Sequence, residues 1–429
     1  MSFMKTTYQE KGYLNYIKKI DMSSYTTRGS GWTSHQSKEM IKAQDIAYWI
    51  KHCRYLEQLM IGDELMNVFV EPELIQSIFN YDPHPYLKVI DFTGFCDQTI
   101  NEKLATIMFN EENKEDVRIE EESKKEQGDA EEEVKDVLDV HLQQWMNIPP
   151  QLSQLSFHMC MALSPSLFFL PFFKRLALNG NTITRLDLAY TPITNQVFDY
   201  LDPSQLTHLN LQGCKYISCC NSSTSSSNLI SFLLKATNLI ELNLNMHFNG
   251  TPNDQQFCES CLSSLLSKQH TSTLASSLKV LDLGGHGHLK DHHLQSISPL
   301  LLQQLLYFSI AYNSHITYPT LISILPKMKQ LQYINVTKTK SIQPMFYPIF
   351  NHPQLPNNLQ VMEVDNPKNT LSPKINSHQK KEVWNLHQYG RRCYYAKNNT
   401  DPRFKYSQKL LMMDEQPQSP MMKYWSFSY

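Results

Sequence analysis

No run of 18 apolar residues, the length a membrane-spanning helix needs, occurs in this 429-residue chain, and its N-terminus holds no apolar core of the signal-peptide kind. The nearest approach, Ser166–Leu178, is broken by Pro171 and by the Lys174-Arg175 pair. The chain therefore reads as soluble and intracellular, cytoplasmic or nuclear, with its thiols reduced. It also lacks charge of one dominant sign. A formal net charge of −2 gives no support to a general nucleic-acid or anionic-membrane role.

Catalytic signatures are missing as well. There is no nucleophile elbow, no phosphate loop, no dinucleotide fingerprint and no H-E-x-x-H. No catalytic residue, no cofactor and no enzyme activity are expected. Metal ligation has thin support too. Cys258-x-x-Cys261 is a single pair, where a zinc site usually needs a second pair at matching spacing. Cys219-Cys220 are adjacent, with no partner pattern of their own. The segment Gly284–His293 holds four histidines. His286 falls in a turn, however, and His292 and His293 are neighbours expected to point to different sides of a helix. No metal site is expected.

What the chain does have is a repeat. LTHLNLQGCKYIS, Leu206 to Ser218, places Leu206, Leu209 and Leu211 as L-x-x-L-x-L, with Cys214 three residues on. Leu209 and Leu211 alternate onto one face of a short strand, and Leu206 and Cys214 turn inward at its ends. The same spacing recurs at Leu56, Leu87, Leu152, Leu239, Leu278, Leu305, Leu331 and Leu359, and more faintly at Ile17. From Leu206 onward the starts lie 33, 39, 27, 26 and 28 residues apart. One such unit cannot bury its own apolar face, so copies must stack on both sides of it. Between Phe173 and Thr191 two stretches, FKRLALNGN and ITRLDLAYT, both fit the strand template only ten residues apart, too close for a full repeat. Spacing from Leu206 favours Ile183-Leu186-Leu188. Ahead of Leu59, QDIAYWIKHCRYLEQL puts Ile46, Ile50, Cys53 and Leu56 on one helical stripe.

These repeats, with Cys53 in a helix half and Cys214 in a strand half, resemble the cysteine-containing, ribonuclease-inhibitor-like leucine-rich repeats of F-box proteins. The resemblance spans roughly Tyr13–Pro367. It implies an α/β leucine-rich-repeat solenoid: a curved horseshoe with a parallel sheet on the concave face and helices on the convex face. Cys53 and Cys214 become structural repeat cysteines. In that family the repeats hold a substrate protein for a cullin-RING ubiquitin ligase, through a Skp-type adaptor. The opening YLNYIKKIDMSSYT resembles the segment that follows the F-box in fungal members. The residues ahead of Tyr13 are too few for an F-box, which suggests an incomplete N-terminus and leaves adaptor binding conditional on an upstream F-box. The expected function is a protein-interaction scaffold, a substrate receptor of a ubiquitin ligase. The alternative is a stand-alone repeat scaffold or inhibitor with no ligase link.

The expected organisation is a lead-in at 1–12, the solenoid at 13–365, a linker at 366–381, and an aromatic, basic C-terminal cap or docking tail at 382–429. Within the solenoid, 110–139 carries 14 acids against 5 bases and reads as a disordered acidic insertion. The residue between the last two apolar positions of each repeat should face outward on the concave side. That column contains Asp91, Asp187, Asn210, Asn243, Asp282, Asn335 and Glu363. With strands stacked about 4.8 Å apart, about ten of them make an arc on the order of 45 Å long, sized for a protein partner. The column is expected to bind a basic or amide-rich segment of that partner.

Overall fold

A computed structural model describes residues 12–22, 42–62, 84–94, 99–102, 148–180, 183–220, 229–246, 257–339, 346–365, 374–377, 382–389 and 392–397, with a few single residues between them. The acidic stretch 110–139, nearly all of the lead-in and the tail beyond 397 lie outside the described residues. No helix among the described residues is long and apolar enough to cross a membrane.

The chain divides into two compact units, residues 1–183 with 190–202, and residues 184–189 with 203–429. The first unit holds β1 (Lys19–Met22), β2 (Gln58–Ile61), β3 (Val89–Phe92) and β4 (Gln154–Ser156). They pair in sequence order and all in parallel. Among its described helices are α1 (Ala43–His52) and α2 (Leu170–Leu178). The stretch FKRLALNGN, which fitted the strand template, is thus helical: Phe172, Phe173 and Leu176 of α2 are all buried. The core packs Phe157 against Phe168, Phe169 and Phe172, edge to face, with ring centroids 5.3 to 5.5 Å apart.

The second unit begins with β5 (Arg185–Asp187) and continues through β6 (His208–Asn210), β7 (Glu241–Asn243), β8 (Val280–Asp282), β9 (Tyr307–Ser309), β10 (Tyr333–Asn335) and β11 (Val361–Val364). Each is parallel to the next. Between them run short helices: α3 (Leu229–Lys235), α4 (Glu259–Leu265), α5 (Lys268–Leu274), α6 (Asp291–Ser296), α7 (Pro299–Gln304), α8 (Tyr318–Ile324) and α9 (Phe346–Phe350). Parallel strands need a crossover, and here the helices supply it. The repeat leucines 206, 209, 211, 278 and 283 are fully buried. This is an α/β leucine-rich-repeat solenoid.

The end of the second unit changes from parallel to antiparallel pairing. β12 (Lys374–Ser377), β13 (Glu382–Tyr389) and β14 (Arg392–Lys397) form an antiparallel meander. β14 pairs antiparallel with β11, in the register Val361↔Ala396 to Val364↔Cys393. An open sheet edge presents unpaired N–H and C=O groups, and this meander satisfies those of β11. Its apolar face seats Trp384 at 4.7 Å and Tyr395 at 5.2 Å from the Phe350 ring, centroid to centroid. β12 falls inside 366–381, the stretch expected to be linker. Four residues with a single buried apolar side chain, Ile375, leave too little periodicity to mark a strand.

Candidate interaction surface

Five strands end in the same way. In unit two, backbone N–H groups donate to the ladder side chains two residues before them. Ala189 donates to Asp187 Oδ1 at 2.9 Å, Gln212 to Asn210 Oδ1 at 3.1 Å, and Asn245 to Asn243 Oδ1 at 3.0 Å. Gly284 donates to Asp282 Oδ1 at 2.8 Å and Thr337 to Asn335 Oδ1 at 3.0 Å. Asp and Asn are the side chains of the right length to hold the N–H two residues on. In unit one, Asp91 Oδ1 accepts from the Thr93 hydroxyl at 2.7 Å.

Six repeats place a left-handed residue shortly after the strand: Met159, Tyr190, Gly213, Gly285, Tyr312 and Lys338 all have φ between 57° and 76°. One residue further, a side chain reaches back to the preceding repeat. Cys160 Sγ donates to Phe92 O at 2.7 Å and Cys214 Sγ to Leu188 O at 3.0 Å. His286 Nε2 meets Leu244 O at 2.8 Å, Asn313 Nδ2 donates to Leu283 O at 2.8 Å, and Thr339 Oγ1 to Ile310 O at 3.1 Å. A thiol, an imidazole, an amide and a hydroxyl thus fill one slot, because what the slot needs is a donor to a buried carbonyl. Burial pushes the His286 imidazole down to about 4, so it stays neutral there. Cys53, the helix-half cysteine, caps α1 and is fully buried, and burial pushes its thiol up to about 11.

The ladder residues are in register as expected. Asp187, Asn210, Asn243, Asp282, Ser309, Asn335 and Glu363 are successive partners in unit two. Their expected openness is corrected. Asp91, Asp187, Asn210 and Asn243 are 0% exposed, Asp282 5%, Asn335 9% and Glu363 3%. They are engaged within the fold. Asn245 Nδ2 donates to Asp282 Oδ1 at 3.3 Å, and Tyr307 OH to Asp282 Oδ2 at 3.2 Å. Glu363 is held by Arg392 of β14 through Nε and Nη2 at 2.6 and 2.7 Å, and by Tyr333 OH at 2.8 Å. Burial works against the charge on Arg392, and Glu363 more than offsets it, raising the guanidinium pKa. Period-two alternation puts these residues on the far face of the sheet from the leucines, but it does not say what else covers that face.

Open tyrosines stand at the strand entries of unit one. Lys19, Gln58 and Val89 are aligned in β1, β2 and β3. Three residues ahead of each stands a tyrosine: Tyr16, 81% exposed, Tyr55, 48%, and Tyr86, 43%. The Tyr55 and Tyr86 rings lie 5.4 Å apart. Beside them Glu57 bridges Lys18 at 2.9 Å and Lys88 at 3.7 Å. Lys18 beside Glu57 holds that carboxyl below its ordinary range. The sequence carried this column in plain sight, as a tyrosine at one fixed offset before three successive strands.

The histidine cluster separates. His286 is a repeat-slot donor. His292 and His293, expected to diverge, lie with ring centroids 4.0 Å apart and tilted by 38°, and both lie near Glu259. His293 Nδ1 accepts from the Lys290 N–H at 3.0 Å, which leaves its Nε2 proton facing Glu259 O at 3.2 Å. Lys290 Nζ sits 2.7 Å from Glu259 Oε2, where it opposes any cation. The cysteines do the reverse. Cys219, Cys220, Cys258 and Cys261, two unconnected pairs in the sequence, come together in unit two.

No protein-family model matches the sequence, and no curated protein sequence matches it significantly. Among solved structures, the chain is similar to the leucine-rich repeat-containing protein LegL7 from Legionella pneumophila. Identity is 14%, over 83% of this chain and 93% of that one, with a TM-score of 0.32. It is also similar to the structure of the yeast Rad7 and Elc1 complex. There identity is 12%, over 87% of this chain and 94% of that one, with a TM-score of 0.36. At such low identity and superposition, neither likeness carries a functional assignment.

Proposed function

We propose that this chain is a protein-interaction scaffold, and more finely a substrate receptor of the F-box/leucine-rich-repeat kind. It would present a protein partner to a cullin-RING ubiquitin ligase through a Skp-type adaptor, given an F-box upstream. We read it as non-enzymatic, and as cytoplasmic or nuclear. The observation that supports partner binding is the exposed, in-register column Tyr16, Tyr55 and Tyr86. Tyrosine is enriched among the residues that dominate interface energies, because it adds a large apolar area and a polar tip at little entropic cost. Three of them on aligned strand entries are held by the backbone pairing of β1, β2 and β3. Lys18 and Lys88 flank the column, so it suits a partner segment with apolar side chains and carboxylates. The ladder then serves as scaffold, the role its buried turn bonds already give it.

The test has two arms. Native complexes of the full-length protein are purified and probed for a Skp-type adaptor and a cullin. Their presence supports the receptor reading, and their absence leaves the stand-alone scaffold. Separately, Tyr16→Ser, Tyr55→Ser and Tyr86→Ser are combined. Loss of the substrate partner with the adaptor retained supports the column as the docking surface. Retention of both removes it.

A further inference from the structure

The two longest repeat spacings in unit two, 33 and 39 residues, are the ones that depart from the 26-to-28-residue pattern that follows. Each brings one pair of cysteines. Cys219 and Cys220 come shortly after buried Ile217 in the repeat of β6. Cys258 caps α4 in the next repeat, and Cys261 follows one turn into that helix. A C-x-x-C at a helix start sets its two sulfurs on one side. The four Sγ atoms all lie within 4.8 Å of one another, and those of Cys219 and Cys220 are 3.6 Å apart. A tetrahedral zinc–thiolate site has Zn–S bonds of about 2.3 Å, and so S···S edges of roughly 3.8 Å. The cluster is already near that size.

We propose that Cys219, Cys220, Cys258 and Cys261 form a four-thiolate site for zinc, which ties the two long repeats of unit two to each other. Four protein sulfurs close the coordination sphere, so the site is structural rather than catalytic. The surroundings fit thiolates. The Cys258 N–H donates to Cys219 Sγ at 3.3 Å, and Cys258 Sγ lies 3.2 Å from Ser260 Oγ. Burial opposes ionisation of Cys258, but hydrogen bonds from Ser260 and its cysteine neighbours bring its thiol down to about 6. Burial pushes Cys219 up to about 11 and Cys261 upward too, and a bound zinc would hold both as thiolates. Two of the four, Cys219 and Cys261, are buried at 5% and 7% exposure, and Cys220 at the rim is exposed, a way in for the ion. The remaining described cysteines, Cys53, Cys160, Cys214 and Cys393, belong to no such cluster.

The experiment uses the full chain, expressed in zinc-supplemented medium and dialysed without chelator. Metal content is read by elemental analysis and by native mass spectrometry. The expected result is one zinc per chain, retained in Cys214→Ser, which keeps its donor to Leu188. Cys220→Ser, at the exposed ligand, and Cys258→Ser should weaken retention at least about tenfold. Cobalt(II) added to the stripped protein should give thiolate charge-transfer bands and the strong visible bands of a tetrahedral ion. A chelator should lower the melting temperature of the wild type and leave that of Cys220→Ser unchanged, which separates metal loss from misfolding. A wild type without zinc overturns the proposal, as does zinc held equally by both ligand variants. A native mass lighter by two hydrogens per bond also overturns it, by assigning the pairs to disulfides.

Discussion

Two columns of polar side chains run along this molecule, and they do opposite things. The ladder of Asp187, Asn210, Asn243, Asp282 and Asn335 is buried, and each member accepts the N–H two residues on. The tyrosines 16, 55 and 86 stand open at the entries of their strands. The ladder follows from the repeat's own needs: a strand that must bend at once requires an acceptor for its next free N–H. The tyrosines answer no such need. In a repeat fold, what recurs in every copy serves the scaffold, and what recurs in a few copies and stays open is the better guide to a partner.

Substitutions can break or sharpen that contrast. The largest effect should come from Asp187→Lys, which removes the acceptor for Ala189 and drives a cation into a fully buried position. About 3 kcal/mol or more of stability should be lost in urea unfolding. Similar in size is the acid response of His286. Its folded pKa lies near 4, below its ordinary value of 6.5, so its contribution is complete above pH 6.5 and disappears as pH falls toward 4. The loss is on the order of 3 kcal/mol. His286→Asn, the residue used in the same slot at 313, should flatten that part of the profile.

Asp282→Asn should be small and of the other sign. Burial raises the Asp282 pKa, so ionisation costs the folded state as pH rises above about 3.8. The amide keeps an acceptor for Gly284 and carries no charge, as at Asn210, Asn243 and Asn335. Stability should be unchanged below that pH and equal or higher at pH 7, read from melting temperatures across the range. Smallest for stability, within about 0.5 kcal/mol, is the triple Tyr→Ser variant, since exposed side chains away from caps and cores change stability little.

Much of this fold was legible. The spacing of Leu206, Leu209 and Leu211 and its copies located the parallel strands β1 to β11, and the register of the ladder followed from it. Ile183-Leu186-Leu188 was separable from FKRLALNGN by spacing alone. The ladder's burial was not legible, because alternation assigns a side chain to a face without saying whether that face is open. Nor was the meeting of Cys219-Cys220 with Cys258 and Cys261. They sit in different repeats, and only the parallel pairing of β6 with β7 brings those repeats side by side. β12 escaped because its four residues bury a single apolar side chain. The tyrosine column could have been found by aligning residues ahead of each strand as well as those within it.

The most direct measurement compares partner retention by Tyr16→Ser/Tyr55→Ser/Tyr86→Ser and by Asp282→Asn in the same quantitative affinity purification of the full-length protein. The account predicts that the tyrosine variant melts like the wild type but loses its substrate partner at least about tenfold, the scale of hot-spot truncation, while Asp282→Asn retains it. Retention by the tyrosine variant and loss by Asp282→Asn would contradict it and return recognition to the ladder.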